Sequence, residues 1–302
     1  MLLLFLLTFP TWFQTYIDTF QKSYTYNQAL HAYHTLLPKY YELDKHPNLH
    51  LQLHNFSDQH RTVRRLNHER SVSSQHTHRI TSIPLSHDWR PTHVTPPVKQ
   101  GECGGCYAIS AVGNLEYWYR QQTGHLEALS IQEALDCSKK YIYKSSGCDG
   151  GLMEDVFQTT RRKPIALAST DPFKRKNGRC PFMINYPAVQ VLSYNTESIE
   201  WGVDVEERLA QNVYTYGPIP VGIDSSSHIF DVYHGGIIHK HQCGNSVDHA
   251  VLVVGYTPQY WIIKNSWGTD WGEGGYFRLE RGVNACAIST YASYASEVRI
   301  LH

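Results

Sequence analysis

Gln100-Gly-Glu-Cys-Gly-Gly-Cys-Tyr-Ala-Ile-Ser-Ala-Val-Gly-Asn-Leu-Glu-Tyr-Trp-Tyr119 is the stretch on which the fold turns. Two glycines lead into Cys106, and apolar residues then recur at 108, 109, 111, 112, 115, 118 and 119. That spacing is the period of a helix with one buried face, and Gly124 suits its C-terminal stop. Cys106 therefore belongs to the first turn of a long amphipathic helix. Unpaired N–H groups and the positive end of the helix dipole favour a thiolate there, and thiolate is the reactive species. Position alone makes Cys106 a candidate nucleophile.

A nucleophile needs a base, and the base needs an orienter. His249 stands 143 residues downstream in Val247-Asp-His-Ala-Val-Leu-Val-Val-Gly-Tyr256, at the head of a run that reads as a buried strand. Asn265 follows a second such run, Tyr260-Trp-Ile-Ile-Lys264. Two neighbouring strands would set imidazole beside carboxamide, with the amide oxygen accepting the ring N–H. One histidine or asparagine at a strand end is usually structural; cysteine, histidine and asparagine in this order and spacing are not common by chance.

Outward from these residues, the 302-residue chain has Lys+Arg 27 against Asp+Glu 27 and 41% hydrophobic residues. A chain of about 300 residues buries roughly three quarters of its unfolded surface, so disulfides are not needed merely to fold it. Zero net charge gives no case for a nucleic-acid binder. The strongly apolar runs, residues 1–9 and Ala250–Gly255, fall short of the ~20 residues of a membrane-spanning helix.

The neutral total hides an asymmetry. Residues 1–83 hold 8 Lys/Arg and 5 Asp/Glu, a net of +3, and the remainder carries −3. Nine of the 18 histidines also lie in the first 83 residues. Two units of opposite charge that recognise each other are expected. Residues 1–10 begin with an apolar stretch like that of a secretory signal, without its positive n-region or a clear cleavage site. Trp12, Tyr16 and Phe20 lie at four-residue spacing on one helical face, and a second helix is expected from Gln28 to Leu37, stopped by Pro38. Residues 11–60 thus form a small helical unit. Residues 61–83 are polar and His/Arg/Ser-rich, a linker open to proteases. Residues 84–302 are the main domain.

Its seven cysteines are an odd count. Outside the cytoplasm six would pair and one thiol would stay free; a reduced chain with seven buried thiols is the plain alternative. Zinc at Cys103-x-x-Cys106 is weak, because no second ligand pair follows at finger spacing.

Quoted together, Gln100–Ala108, Ser146-Gly-Cys-Asp-Gly-Gly151, Val247-Asp-His-Ala250 and Lys264-Asn-Ser-Trp-Gly268 resemble papain-family cysteine peptidases over nearly all of 84–302. The double glycine and Tyr233-His-Gly-Gly-Ile-Ile238 most resemble the cathepsin O branch. The front resembles the family's inhibitory prodomain through Phe13-x-x-Tyr-x-x-x-Phe-x-Lys-x-Tyr24 and Asn55-Phe-Ser-Asp58. The resemblance implies Cys106 as nucleophile, His249 as base and then acid, and Asn265 as orienter. Gln100 and the Cys106 N–H would donate to the developing oxyanion. Trp267 would shield the His–Asn bond, and Gly150 and Gly151 would let substrate backbone approach. Leu152, Met153, Gly222, Val247, Ala250 and Tyr291 would line the pocket for the residue two before the scissile bond.

Six cysteines allow 15 pairings; the family pattern implies Cys103–Cys148, Cys137–Cys180 and Cys243–Cys286. No cofactor or metal is implied. Partners implied are peptide and protein substrates, the chain's own prodomain as inhibitor, and cystatin-like inhibitors, for a monomer in the lysosome or secreted. Two departures stand out. Gly105 and Tyr107 replace the family's usual Ser or Ala and Trp, and Val98-Lys-Gln-Gly101 is one residue short, which puts the position of the Gln100 donor in doubt.

Ser130-Ile-Gln-Glu133 reads as a capping box, and Leu152–Thr160 and Val205–Val213 as further helices. Pro218–Ile223, Ala250–Gly255, Trp261–Lys264 and Tyr276–Leu279 read as strands. Helices first and strands later give an α+β protein. By resemblance these are two lobes, a helical left one and a right one like an antiparallel β-barrel, with a cleft between Cys106 and His249. The reading is a zymogen of a thiol endopeptidase. Its rivals are a catalytically silent homologue that binds peptides and a disulfide-stabilised binding module without chemistry. The histidine-rich front is expected to loosen on acidification, when its charge rises.

Overall fold

In the computed structural model the Ser130 hydroxyl accepts the Glu133 N–H at 3.0 Å, but the expected capping box does not close: the Ser130 N–H donates to the Ala166 carbonyl, and Glu133 Oε2 accepts the Ala166 N–H instead. The structure describes residues 9–53, 82–141, 145–183, 185–198 and 205–302, apart from 21, 44, 47 and 48. The apolar start before residue 9, the Asn55-Phe-Ser-Asp58 motif and the linker as far as residue 81 lie outside the described residues. The helices are α1 (Thr11–Thr19), α2 (Tyr26–Glu42), α3 (Arg90–His93), α4 (Cys106–Thr123), α5 (Ile131–Tyr141), α6 (Met153–Thr160), α7 (Val205–Tyr216) and α8 (Ile229–Val232). The strands are β1 (His50–Leu51), β2 (His87–Asp88), β3 (Ile165–Ala166), β4 (Ala188–Ser198), β5 (Ile219–Ile223), β6 (Tyr233–Gly235), β7 (Ile237–Ile238), β8 (His249–Tyr256), β9 (Tyr260–Lys264), β10 (Tyr276–Glu280) and β11 (Tyr291–Leu301).

Helix α4 starts on Cys106 and ends at Gly124, whose φ of 77° is the left-handed stop expected of it. Its apolar face packs with α5 and α6 into the left-lobe core around Leu115, Leu135 and Phe157. The right-lobe core gathers Val253, Trp261, Ile263, Trp271 and Phe277 from β8, β9, β10 and the loop before β10. The main sheet runs in the order β3-β4-β11-β5-β8-β9-β10-β7, with β2 on β8. Its neighbours are antiparallel except β10 with β7. Among the described residues this path stays open and does not close into a barrel. Strand β8 is buried at every residue, which explains its unbroken apolar run.

The front unit has its own small core of Phe13, Tyr16, Ile17, Ala29, Ala32 and Leu36. The expected face of Trp12, Tyr16 and Phe20 lies in or against this core, with Phe13 and Ile17 added at its centre, and Trp12 stacks on Tyr40 of α2 at 4.2 Å. The second helix departs from expectation. Helix α2 begins at Tyr26, capped by a Thr25 N–H bond to Gln28 Oε1 at 2.8 Å, and continues through Pro38 to Glu42. Proline removes one helical hydrogen bond. Contacts on both sides offset that loss: Leu36 is fully buried, Trp12 covers Tyr40, and Lys39 reaches Asp231 at 3.5 Å.

The front docks on the right lobe through backbone. Strand β1 pairs antiparallel with β6, His50 opposite Gly235 and Leu51 opposite Tyr233. The Gln52 N–H donates to the Val232 carbonyl at 2.8 Å, and Leu49 enters the right-lobe core. Lys39–Asp231 is nearly buried, so the charge complementarity of front and body is realised at that contact.

Candidate active site

The nucleophile loop is held from two sides before α4 begins. A disulfide joins Cys103 to Cys148, and the Gly104 N–H donates to the Cys148 carbonyl at 2.8 Å. The other bridges are Cys137–Cys180 and Cys243–Cys286, and Cys106 is a free thiol. With Cys103 bridged, the zinc alternative for this pair falls. Lys99 bridges to Trp267, while the Gln100 N–H donates to the Ser266 carbonyl and the Gly268 N–H to Val98. Residues 98–100 thus lie against the segment after β9, and the shortened loop is anchored there.

His249 opens β8 and Asn265 directly follows β9, its antiparallel neighbour. His249 Nε2 lies 2.9 Å from Asn265 Oδ1, and the same oxygen accepts the Ser266 N–H at 2.8 Å. An amide oxygen only accepts, so the neutral ring carries its proton on Nε2 and keeps the Nδ1 lone pair as base. The indole of Trp267 stacks on the imidazole at 5.2 Å and is itself wedged by Trp271 at 5.0 Å. Asn265 Nδ2 is buried and has no hydrogen-bond partner among the described residues. Its orientation is therefore set by the two bonds to its oxygen.

Cys106 is only 7% exposed. Burial pushes its thiol up to about 11, against hydrogen bonding from the Ala250 and Tyr107 backbone, and the Asp248 carboxylate adds to the rise. The expectation that the helix start would yield a thiolate is corrected: in this state desolvation outweighs it. The Ala250 hydrogen bond also puts the sulfur beside the first residues of β8, next to His249.

Gln100 is not free to swing. Its oxygen accepts the Ser266 hydroxyl, and its Nε2 donates to the Cys103 carbonyl at 3.0 Å. The Ser266 bond therefore fixes which end of the amide faces the nucleophile loop. Sequence reading missed this role of Ser266, although it sits inside the Asn265-Ser-Trp motif. It also missed Asp248, whose Oδ1 accepts both the N–H and the hydroxyl of Ser225 at 2.8 and 3.0 Å.

Across the cleft, Gly150 has φ of 110°, and a Cβ added there would meet nothing within 4 Å. A Cβ on Gly151 would instead strike Tyr107 at 2.7 Å and Ser145 at 2.4 Å. Gly222 and Ala250 are register partners in β5 and β8. Met153, Ala250 and Tyr291 share the left-lobe core, and Tyr291 is turned inward, 2% exposed. Leu152 is buried and Val247 half-buried, and neither joins that cluster.

A model of papain family cysteine proteases matches residues 83–296. The chain belongs to the papain family. Papain-family relatives include cathepsin S of Bos taurus, 39% identical over 219 residues that make up 70% of this chain and 65% of that protein. The oryzain beta chain of Oryza sativa subsp. japonica is 37% identical over 228 residues, 72% of this chain and 47% of that one. The chain thus spans about half to two thirds of the length of these relatives. Digestive procathepsin L 3 of Tenebrio molitor larval midgut superposes with a TM-score of 0.78 at 29% identity, over 94% of this chain and 98% of that one. Against other papain-family chains, Gly105 has a packing reason. A Cβ there would lie 3.0 Å from a Leu135 methyl and 3.4 Å from the Cys103 sulfur, so a serine would require the Leu135 side chain to give way.

Proposed function

We propose that this chain is a thiol-dependent endopeptidase made as a zymogen, with residues 11–60 as its inhibitory prodomain. The observation that carries the reading is the His249–Asn265 pair, roofed by Trp267, beside a free thiol at the start of α4. Cys106 Sγ attacks the scissile carbonyl as its proton passes to His249 Nδ1. The imidazolium then protonates the leaving amine, and a thioester remains on Cys106. Water, deprotonated by the neutral imidazole, hydrolyses it and restores the thiol. The Cys106 N–H has no acceptor within its own helix, as at any helix start, and with Gln100 Nε2 it would receive the oxyanion. Gly150 and Gly151 would face the substrate backbone.

The test is covalent capture. A peptidyl epoxide added to the processed enzyme should label Cys106 alone, with activity lost in proportion. The unprocessed chain should react slowly at neutral pH, because its thiol is buried and held near 11; labelling should accelerate only as pH climbs toward that value. An active enzyme whose Cys106 stays unlabelled would sink the assignment.

Specificity follows from the inward Tyr291 ring. With Leu152, Met153, Gly222, Val247 and Ala250 as the other walls, the pocket two residues before the scissile bond is apolar and shallow. A peptide library should favour Val or Leu there over Phe; a profile dominated by Arg would refute this pocket.

The three disulfides fit an oxidising compartment, and we assign the chain to the secretory pathway, lysosomal or secreted. No helix among the described residues is long and apolar enough to cross a membrane. Cystatin-like inhibitors are proposed as further partners of a monomer, and the double glycine at 104–105 favours the cathepsin O branch.

The prodomain also touches the right lobe at His46. Gln242 Oε1 accepts the His239 N–H at 2.6 Å, so its Nε2 donates to His46 Nδ1, 2.9 Å away, while His46 Nε2 lies 3.3 Å from the Glu42 carboxylate.

A further inference from the structure

The left lobe carries a charge pattern that peptide hydrolysis does not use. Residues 139–179 hold ten Lys/Arg against four Asp/Glu, a net of +6 in a domain of net −3, which leaves −9 on the rest. Folding gathers much of this charge around one loop. Lys139 and Lys140 close α5, and the Cys137–Cys180 bridge ties that helix end to the segment after Arg179. Lys163 Nζ donates to the Met183 carbonyl at 2.6 Å, and Lys140 lies within electrostatic reach of Lys163. Arg161 is held beside them by its carbonyl, which accepts from Gln190 at 2.9 Å. Arg161, Arg162 and Gln158 line a hollow of about 260 Å³.

The Met183 carbonyl that takes the bond from the buried Lys163 belongs to a loop that is apolar and exposed. Phe182 is 92% exposed, Met183 70% and Tyr186 56%. Single exposed apolar residues are ordinary, but an aromatic and a methionine side by side at a loop tip, fixed by a disulfide at its base, are not. Water is a poor environment for these side chains. Cations at the rim and an apolar tip are the composition of a protein surface that enters the headgroup layer of an anionic bilayer. A soluble polyanion would use the cations and leave Phe182 and Met183 in water.

We propose that this face of the left lobe docks on anionic membrane surfaces, with Phe182 and Met183 inserted among the lipids and Arg161 and Arg162 holding lipid phosphates. Guanidinium groups bind phosphate with two parallel hydrogen bonds, which suits the pair at the hollow. None of these four residues belongs to the catalytic site described above, so docking and hydrolysis are separable by mutation.

The full chain is sedimented with vesicles of phosphatidylcholine alone and of phosphatidylcholine with phosphatidylserine. Binding is expected only to the second. Phe182→Ser with Met183→Ser should weaken it by about tenfold or more, as both side chains lose their transfer to lipid. Arg161→Glu with Arg162→Glu should weaken it by at least about fivefold per position. Both double variants should keep the wild-type melting temperature and, once processed, the wild-type turnover of a soluble peptide. A Phe182→Trp chain gives an independent reading: brominated lipids should quench the added fluorescence when phosphatidylserine is present. Absence of binding to the anionic vesicles overturns the proposal. So does vesicle binding that ignores the loss of Phe182 and Met183, or an added tryptophan that lipid does not quench. Should dextran sulfate bind the chain under those outcomes, the patch is a site for soluble polyanions.

Discussion

Cys106→Ala should lose about 10⁴-fold or more in kcat/KM on a peptide substrate while its melting temperature stays close to that of the parent chain. The two effects separate because the thiol does chemistry and little packing. Alanine keeps the Cβ and is the best helix former, so α4 still starts at 106. The lost sulfur is one buried atom beside the Ala250 backbone, and its removal should cost about 1 kcal/mol. His249 and Asn265 remain bonded to each other, but no other group in the described site can form the thioester. Cys103→Ala gives the opposite pattern. It opens a bridge that closes a 45-residue separation and leaves Cys148 with a reactive thiol; loss of such a bridge typically costs about 2–5 kcal/mol. Thermal unfolding and peptide turnover on both variants check the pair. Substantial turnover by purified Cys106→Ala protein would remove Cys106 from the mechanism.

How much of this was readable beforehand depends on whether neighbours in sequence or neighbours in space set the outcome. Helix α4 was legible because its apolar period, its glycine pair and Gly124 all act locally. Strands β8 and β9 were legible as unbroken apolar runs, and with them the order Cys106, His249, Asn265. Strands β4 and β11 were not, although they are the longest in the sheet and pair with each other along most of their length. From Tyr291 to Ala295 strand β11 is buried on both faces. Its small Ala and Ser residues therefore show no alternation for a pattern to reveal. Pro38 misled for a related reason: the contacts that carry α2 past it come from α1 and from Asp231 in the other unit. The state of Cys106 was the least legible feature. The helix start was visible in the sequence, while the burial that opposes it comes from residues distant in sequence, such as Ala250 and Tyr291.

Glu116→Ala should cost about 3–5 kcal/mol of stability, the effect of leaving one partner of a buried pair without the other. Glu116 lies on α4 in the left lobe, and Lys264 ends β9 in the right one. Thr95 bridges them: Lys264 Nζ donates to its hydroxyl at 3.0 Å, and that hydroxyl donates to Glu116 Oε2 at 2.6 Å. The second carboxylate oxygen accepts the Leu129 N–H at 3.0 Å. Burial raises the Glu116 carboxyl, with Lys264 opposing the rise, and burial lowers the Lys264 ammonium, with Glu116 opposing it. Each charge thus offsets part of the other's desolvation, and deleting the carboxylate leaves Lys264 in a dry interior without its counter-charge. Lys264→Met introduced with Glu116→Ala should recover most of the loss, because it removes the stranded charge and supplies apolar volume. Denaturant midpoints of the two single variants and the double variant form the cycle. Activity offers a second readout, since Lys264 immediately precedes Asn265. A Glu116→Ala chain that still folds should turn over peptide more slowly as β9 loses its anchor, with KM less affected than kcat. If Glu116→Ala costs less than about 1 kcal/mol, or if Lys264→Met adds to the damage, the two groups do not stabilise each other and the lobes are held together by their apolar contacts.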